Sequence, residues 1–157
     1  MASSPWIRRR LRSLRGLSAR RRALLIEAAL RLVAAQAVLF LVPFPYLARR
    51  FGTFVPPSDP RVALGGSGAS AEHAAVAGEI GWAVTTAARH VPFRAVCLPQ
   101  AMAAWMMLKR RGVTSVIHFG AAKGAAALDT HAWLDAAGIE VTGFPVGGQF
   151  AEIACFV

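Results

Sequence analysis

The stretch AVCLPQAMAAWMMLKRRG, residues 95–112, carries the most clearly marked helix of the sequence and opens it with a cysteine. Pro99 lies in the first turn, where the N–H that proline lacks would have no partner within the helix. Basic residues fill the last turn, and Gly112 follows as a C-terminal cap. The pattern predicts a helix over about 98–111 with Cys97 at its N-terminus.

A cysteine at the start of a helix has two interpretations. It is a small packing residue, the more common role of a lone cysteine, or it is a nucleophile. The partial positive charge of a helix N-terminus favours the thiolate, and the free N–H groups there can stabilise a tetrahedral intermediate. A nucleophilic Cys97 needs a base, usually a histidine on another element. His73 and His90 flank a predicted helix as surface or capping residues, which leaves His118 and His131.

After this helix the hydrophobic period changes to that of strands. VTSVIHFGAAKG, residues 113–124, alternates and predicts a strand with Ile117 and Phe119 on one face and His118 on the other. THAWLDAAGIEV, residues 130–141, predicts two short strands around an AAG turn. Helices followed by a small antiparallel sheet make an α+β fold.

Two further helices are predicted upstream, over about 20–42 and 71–90. The prolines of PFPYLARRFGTFVPPSDP, residues 43–60, predict irregular chain between them. The sequence thus divides into a basic disordered arm over 1–19, an apolar helix with a Pro-rich connector over 20–60, and a core over 61–157.

The net charge of +10 is unevenly distributed along the chain. Residues 1–22 hold eight arginines and no acid, whereas the other 135 residues hold ten Lys and Arg against eight Asp and Glu. Such an arm suits an anionic partner, or it is a solvated tail. Because only Trp6 supplies an aromatic ring within the arm, we expect no nucleic-acid binding.

Residues 23–48 raise the question of a membrane anchor. Residues 32–48 carry no charge and follow an arginine-rich segment, as in an anchor with its positive side inside. However, Glu27 and Arg31 form an i,i+4 pair suited to water, and Pro43 ends the helix early. We therefore expect a helix buried against the protein or a partner, and we keep peripheral membrane contact through residues 23–48 as the alternative.

The two cysteines do not form a disulfide framework, and nothing in the sequence indicates an oxidising compartment. We expect Cys155, close to the C-terminus, to be a small hydrophobic residue that is either buried or at a frayed end. His118 and His131 lack the close spacing of paired zinc ligands, and Cys97 is alone near its helix. We therefore expect no metal site, no cofactor and a cytoplasmic location.

The pattern CLPQAMAAWMMLKRRG…FG…HAWLDAAGIEV, preceded by an apolar helix and the PF and LARR segments, resembles the B2 proteins of lasso peptide biosynthesis. These are transglutaminase-like, papain-related cysteine peptidases, and the resemblance covers residues 20 to about 145. It implies a catalytic-type helix packed on a small antiparallel sheet. It also implies a leader peptidase, a hydrolase that cuts a ribosomally synthesised precursor peptide beside a separate leader-recognition protein and the lasso cyclase.

By this resemblance Cys97 would be the nucleophile and His131 the base of a cysteine endopeptidase. Trp133, on the same strand face as His131, would line the site or pack in the core. Two other functions remain open. The chain could be a non-catalytic scaffold of the same fold in the maturation complex, or a small membrane-anchored protein.

The third catalytic residue is not identified by the sequence. The superfamily places an acid on the strand after the histidine, and Gly143 stands at about that position. Asp135 is too far along the strand to reach His131 directly. Either a backbone carbonyl, Thr142 or Glu152 orients the imidazole, or a Cys–His dyad works alone.

Overall fold

Five helices and five strands make up the described part of the computed structural model, residues 16–64, 69–124 and 127–157. Most of the predicted arm, residues 1–19, lies outside the described residues. The α+β prediction is confirmed. In chain order the elements are α1 (Ala19–Leu41), α2 (Phe44–Phe51), β1 (Phe54–Val55), α3 (Pro60–Leu64), α4 (Ala71–Ala88), α5 (Cys97–Lys109), β2 (Ser115–Lys123), β3 (Leu128–Ala136), β4 (Ile139–Thr142) and β5 (Ala151–Phe156).

The strands form one antiparallel sheet in the order β1-β5-β2-β3-β4. β2 and β3 pair along their whole length, from Ser115 with Ala136 to Lys123 with Leu128. β5 was not predicted from the sequence, yet it lies between β1 and β2. The last residues of the chain therefore belong to the interior of the sheet, and Cys155 is fully buried there, as expected.

The predicted AAG turn connects β3 to β4. Ala137 and Gly138 both have positive φ angles, 54° and 75°. Two left-handed residues make the tight hairpin turn that matches the twist of antiparallel strands. The prediction of two strands around this turn is confirmed.

α1 packs against α4 and α5 through one face, which buries Leu24, Ala28, Leu32 and Ala35. Glu27 also lies on this side, and its carboxylate accepts hydrogen bonds from Arg111 at 2.7 and 3.3 Å. The side-chain partner of Glu27 is therefore Arg111, two residues after the end of α5, rather than Arg31 of its own helix.

The opposite face of α1 is apolar and exposed. Ile26, Leu30, Val33, Phe40 and Leu41 each keep between 49 and 88 % of their surface accessible. By length and composition α1 could cross a membrane, since its most apolar 18 residues have a mean hydropathy of 2.0 and are 22 % buried. Core helices and signal sequences share these properties, and the expectation of a partner or membrane on this face stays a prediction.

The segment predicted to be irregular, residues 43–60, contains a helix. Pro43 is the N-cap of α2, and Pro45 lies in its first turn. At these positions proline removes no helical hydrogen bond and its fixed φ suits the helix. The prediction of irregular chain was wrong here because it treated every proline as a helix breaker.

Candidate active site

Cys97 lies at the first residue of α5, as the sequence predicts, and its side chain is partly exposed. The N-cap residue Val96 offers no side-chain hydrogen bond to the helix. Gln100 donates from Nε2 to the carbonyl oxygen of Ala95 at 2.7 Å, which fixes the chain just before the cysteine. The N-cap side chain thus satisfies none of the first N–H groups of α5, and Cys97 lies beside them.

His131 lies on β3, and its Nε2 donates to the carbonyl oxygen of Gly143 at 2.7 Å. Its ring stacks on Trp133 at 5.8 Å between centroids and lies 5.2 Å from the ring of Phe150. Nδ1 has no hydrogen bond from the described residues. The imidazole is therefore held by one nitrogen and by two aromatic rings, with its other nitrogen available.

The backbone carbonyl is one of the orienting groups that the sequence left open. Neither side-chain alternative holds this ring among the described residues. Thr142 is buried, and its Oγ1 has no hydrogen-bond partner there. Glu152 bonds to His118 instead. Gly143, the residue that the resemblance places near the superfamily's acid, thus contacts His131 through its main chain rather than through a side chain.

No hydrogen bond joins Cys97 to His131 in the part of the chain that the structure describes. Alternation along β3 puts His131 and Trp133 on one face of the sheet, as predicted, and Leu134 on the face that packs with α5. α5, which carries Cys97, thus packs on the sheet face opposite to the one from which His131 projects. The pairing of Cys97 and His131 as nucleophile and base stays a prediction.

A second cluster of reactive side chains lies on the face of the sheet opposite to α5, which we call the outer face. This outer cluster consists of His118, Asp135, Glu152 and Cys155. His118 bonds through Nδ1 to Glu152 at 2.5 Å and through Nε2 to Asp135 at 3.1 Å. Cys155 donates to the Glu152 carboxylate at 2.9 Å, and its Sγ is 3.6 Å from Nδ1 of His118. The ring of His118 stacks on Trp133 with an interplanar angle of 2°.

Burial and the two carboxylates determine the charges in this cluster. Burial lowers the pKa of His118, but the hydrogen bonds that its ring donates to the Asp135 and Glu152 carboxylates outweigh burial, so the pKa lies above its usual value. Burial, with a smaller contribution from Glu152, raises the pKa of the Cys155 thiol well above its usual range. The cluster therefore favours an imidazolium beside a protonated, unreactive thiol.

A family model described as the transglutaminase-like superfamily matches residues 38–155 of the chain. The chain belongs to this superfamily. Its cysteine protease type of fold supports a peptidase activity. No curated protein and no solved structure matches the chain. The family match covers α5 with Cys97 and β3 with His131, the elements on which the resemblance was based.

The sequence analysis missed the groups that lie around Cys97 and His131 in the structure. Phe150 and Gln100 carried no signal, because neither has a motif that assigns it a role. The position of Gly143 was recognised only as the place where an acid was absent. The outer cluster was missed because Glu152 and Cys155 lie 34 and 37 residues after His118 in the sequence. These residues come together only because β5 pairs with β2.

Proposed function

We propose that this protein is a cytoplasmic cysteine peptidase that removes the leader from a ribosomally synthesised lasso precursor peptide, with Cys97 as nucleophile and His131 as base. The observation that carries the proposal is the hydrogen bond from His131 Nε2 to the Gly143 carbonyl oxygen. It supports a ring whose Nδ1 is left for a thiol. The superfamily match supports the chemical class.

Exposure favours Cys97 over Cys155 as the nucleophile. Cys97 is partly exposed at a helix N-terminus, whereas Cys155 is fully buried. A nucleophilic thiol must meet its substrate and ionise near neutral pH. Burial and the carboxylate of Glu152 both oppose ionisation of Cys155.

The proposed reaction proceeds in two steps. The Cys97 thiolate attacks the scissile carbonyl carbon, while N–H groups at the start of α5 stabilise the oxyanion. The His131 imidazolium then gives its proton to the leaving amine as the peptide C–N bond breaks, which leaves a thioester on Cys97. Water, activated by the neutral imidazole, hydrolyses the thioester, releases the leader carboxylate and restores the thiol.

The partners are part of the same proposal. The precursor peptide, a separate leader-recognition protein and a lasso cyclase are those implied by the resemblance. The described residues hold no extra domain beside the α+β core that would itself recognise a leader. The reaction is therefore tested with the partner present.

The test is mass spectrometry of a synthetic lasso precursor peptide incubated with the protein and a candidate leader-recognition protein. We expect wild type to make one cut and Cys97→Ala to lose it, by a factor of about 10³ or more. Glu140→Gln, at an exposed position on β4, is the control and should keep cutting. Cleavage by Cys97→Ala at the wild-type rate would refute the proposed nucleophile.

A non-catalytic scaffold of the same fold is the second candidate. Two observations on the described residues favour it: no carboxylate bonds to His131, and no hydrogen bond links His131 to Cys97. A scaffold predicts that the recognition partner binds the precursor while no cut appears in any variant. It also predicts that Cys97 reacts with an alkylating agent at neutral pH no faster than a free thiol does. Rapid alkylation of Cys97 that is lost in His131→Asn would favour the peptidase.

A further inference from the structure

The outer cluster brings three donors of different kinds to one point. His118 lies on β2, opposite Cys155 on β5 in the strand register, and a bulge after Phe119 brings Glu152 to the same side. The donor atoms are His118 Nδ1, a Glu152 carboxylate oxygen and Cys155 Sγ, all within 4.8 Å of one another. Nitrogen, oxygen and thiolate sulfur are the three donor types that zinc uses in proteins.

We propose that His118, Glu152 and Cys155 form a binding site for a divalent, thiol-preferring metal ion such as Zn²⁺. With bonds of about 2.0–2.3 Å, tetrahedral ligand atoms lie about 3.3–3.8 Å apart. The separation of 3.6 Å between Sγ and Nδ1 is already in this range. The Glu152 oxygen, 2.5 and 2.9 Å from these two atoms, would have to withdraw by less than about 1 Å.

Glu152 has room for this movement. Its residue is exposed, whereas His118 and Cys155 are buried. The two buried ligands are fixed by the sheet, and the adjustable carboxylate is on the solvent side. Three protein ligands leave a fourth tetrahedral position to water or to a substrate atom.

Asp135 provides independent support for the site. It holds His118 Nε2 at 3.1 Å, which leaves Nδ1 as the nitrogen for the metal. Histidines that bind metals usually donate their other N–H to a carboxylate or carbonyl, which fixes the tautomer and the ring. The parallel ring of Trp133, 5.4 Å away between centroids, fixes the same plane.

The ligand chemistry selects among metal ions. One imidazole, one carboxylate and one thiolate suit Zn²⁺ or Co²⁺, whereas Mg²⁺ and Ca²⁺ prefer sites made of oxygen alone. Binding would replace the proton of the Cys155 thiol and any proton on His118 Nδ1, so these protons are released to solvent. The ion would tie β2 to β5 at the centre of the sheet.

The test uses the untagged full chain, reduced and freed of metal by a chelator, then titrated with Co²⁺. We expect one equivalent to give the near-ultraviolet thiolate-to-cobalt band with visible bands of a tetrahedral ion. Cys155→Ser should lose the thiolate band, whereas Cys97→Ser should keep it. Asp135→Asn should retain the band and weaken cobalt binding by about 10–100-fold, the usual effect of removing such a partner.

Two results would overturn the proposal: no thiolate band in folded wild type at a tenfold excess of Co²⁺, or a band that depends on Cys97 instead of Cys155. Circular dichroism of each variant checks that it folds. If Cys155→Ser does not fold, Glu152→Gln replaces it, because this exposed side chain is not part of the core. Cobalt affinity that is unchanged in Glu152→Gln would equally reject the site.

Discussion

Gly143 bonds to His131 through its main chain, at about the position where the resemblance would place an acid. Its φ is +83°, a left-handed conformation that favours glycine. A Cβ there would lie 2.6 Å from the carbonyl oxygen of Ala132 and 2.8 Å from Cα of Trp133. The main chain of Gly143 therefore approaches β3 closely, and this approach brings its carbonyl oxygen to His131.

Substituting Gly143 with alanine should affect stability and cleavage together. The strained φ and the backbone clash should lower the free energy of unfolding by about 1–3 kcal/mol or more. If the proposed reaction holds, kcat should fall as the carbonyl oxygen moves away from His131. Urea unfolding and the peptide assay measure the two effects.

Gly78→Ala is the matched control for this prediction. Gly78 lies within α4, and no atom of the described residues lies within 4 Å of its would-be Cβ. Alanine there should keep activity and raise stability by up to about 1 kcal/mol, because glycine weakens helix interiors. Equal effects at both glycines would show that the contact between Gly143 and β3 has no special role.

The two faces of α1 contribute differently to the free energy of unfolding, although both are apolar. Leu32 is fully buried, and Leu30 on the same helix is 65 % exposed. Leu32→Ala should lower the free energy of unfolding by about 2–5 kcal/mol through lost burial and a new cavity. Leu30→Ala should change it by no more than about 0.5 kcal/mol. Chemical denaturation tests this, and similar losses for both would mean that the exposed face is covered in solution.

The ion pair between Glu27 of α1 and Arg111, two residues after α5, should make the stability of the fold depend on pH in the acid range. A hydrogen bond from Arg111 outweighs burial, so the pKa of Glu27 lies below its usual value near 4.5. A carboxyl whose pKa is lower in the folded state stabilises it above pH 4.5, and this stabilisation is lost as pH falls through the folded pKa. Glu27→Gln should therefore be less stable at pH 7 and lose less stability on acidification.

Thermal unfolding between pH 7 and pH 3 measures this difference. Glu140→Gln serves as the control because Glu140 is exposed on β4. Parallel pH curves for wild type and Glu27→Gln would contradict the role given to the ion pair.

The sequence predicts some elements better than others, because only some of them carry a signal within their own residues. α1, α4, α5 and the β3–β4 hairpin carry their own periodicity, caps or turn residues, so local rules suffice. α2 was missed because a proline in a first turn looks the same in sequence as one that ends a helix. β5 was missed because AEIACF, residues 151–156, is short and gains its pairing only from β1 and β2.

For the whole molecule, the same distinction separates the two candidate sites. Cys97 and His131 each lie in a local motif, and a family pattern suffices to nominate them. The outer cluster depends on β5 lying next to β2, because only this order brings Cys155 to His118. No spacing rule predicts a ligand set that is assembled by the sheet.

The sheet order also makes the C-terminal strand a requirement for the whole fold. Phe156 on β5 is 6 % exposed. Its ring packs edge to face against Phe51, Phe54 and Phe119 at 5.5–5.8 Å between centroids, so one side chain joins α2, β1 and β2. Phe156→Ala should lower the free energy of unfolding by about 3–5 kcal/mol, a large share of the 5–15 kcal/mol typical of a domain.

Phe40→Ala is the control for this last prediction, because it removes the same ring from a position that is 88 % exposed. It should cost no more than about 0.5 kcal/mol. Hydrogen exchange shows how many elements the substitution at Phe156 destabilises. Because Phe156 contacts three elements, its loss should speed exchange in β1, β2 and α2 together, rather than in β5 alone. Faster exchange confined to β5 would mean that the C-terminal strand frays independently and that the rest of the sheet folds without it.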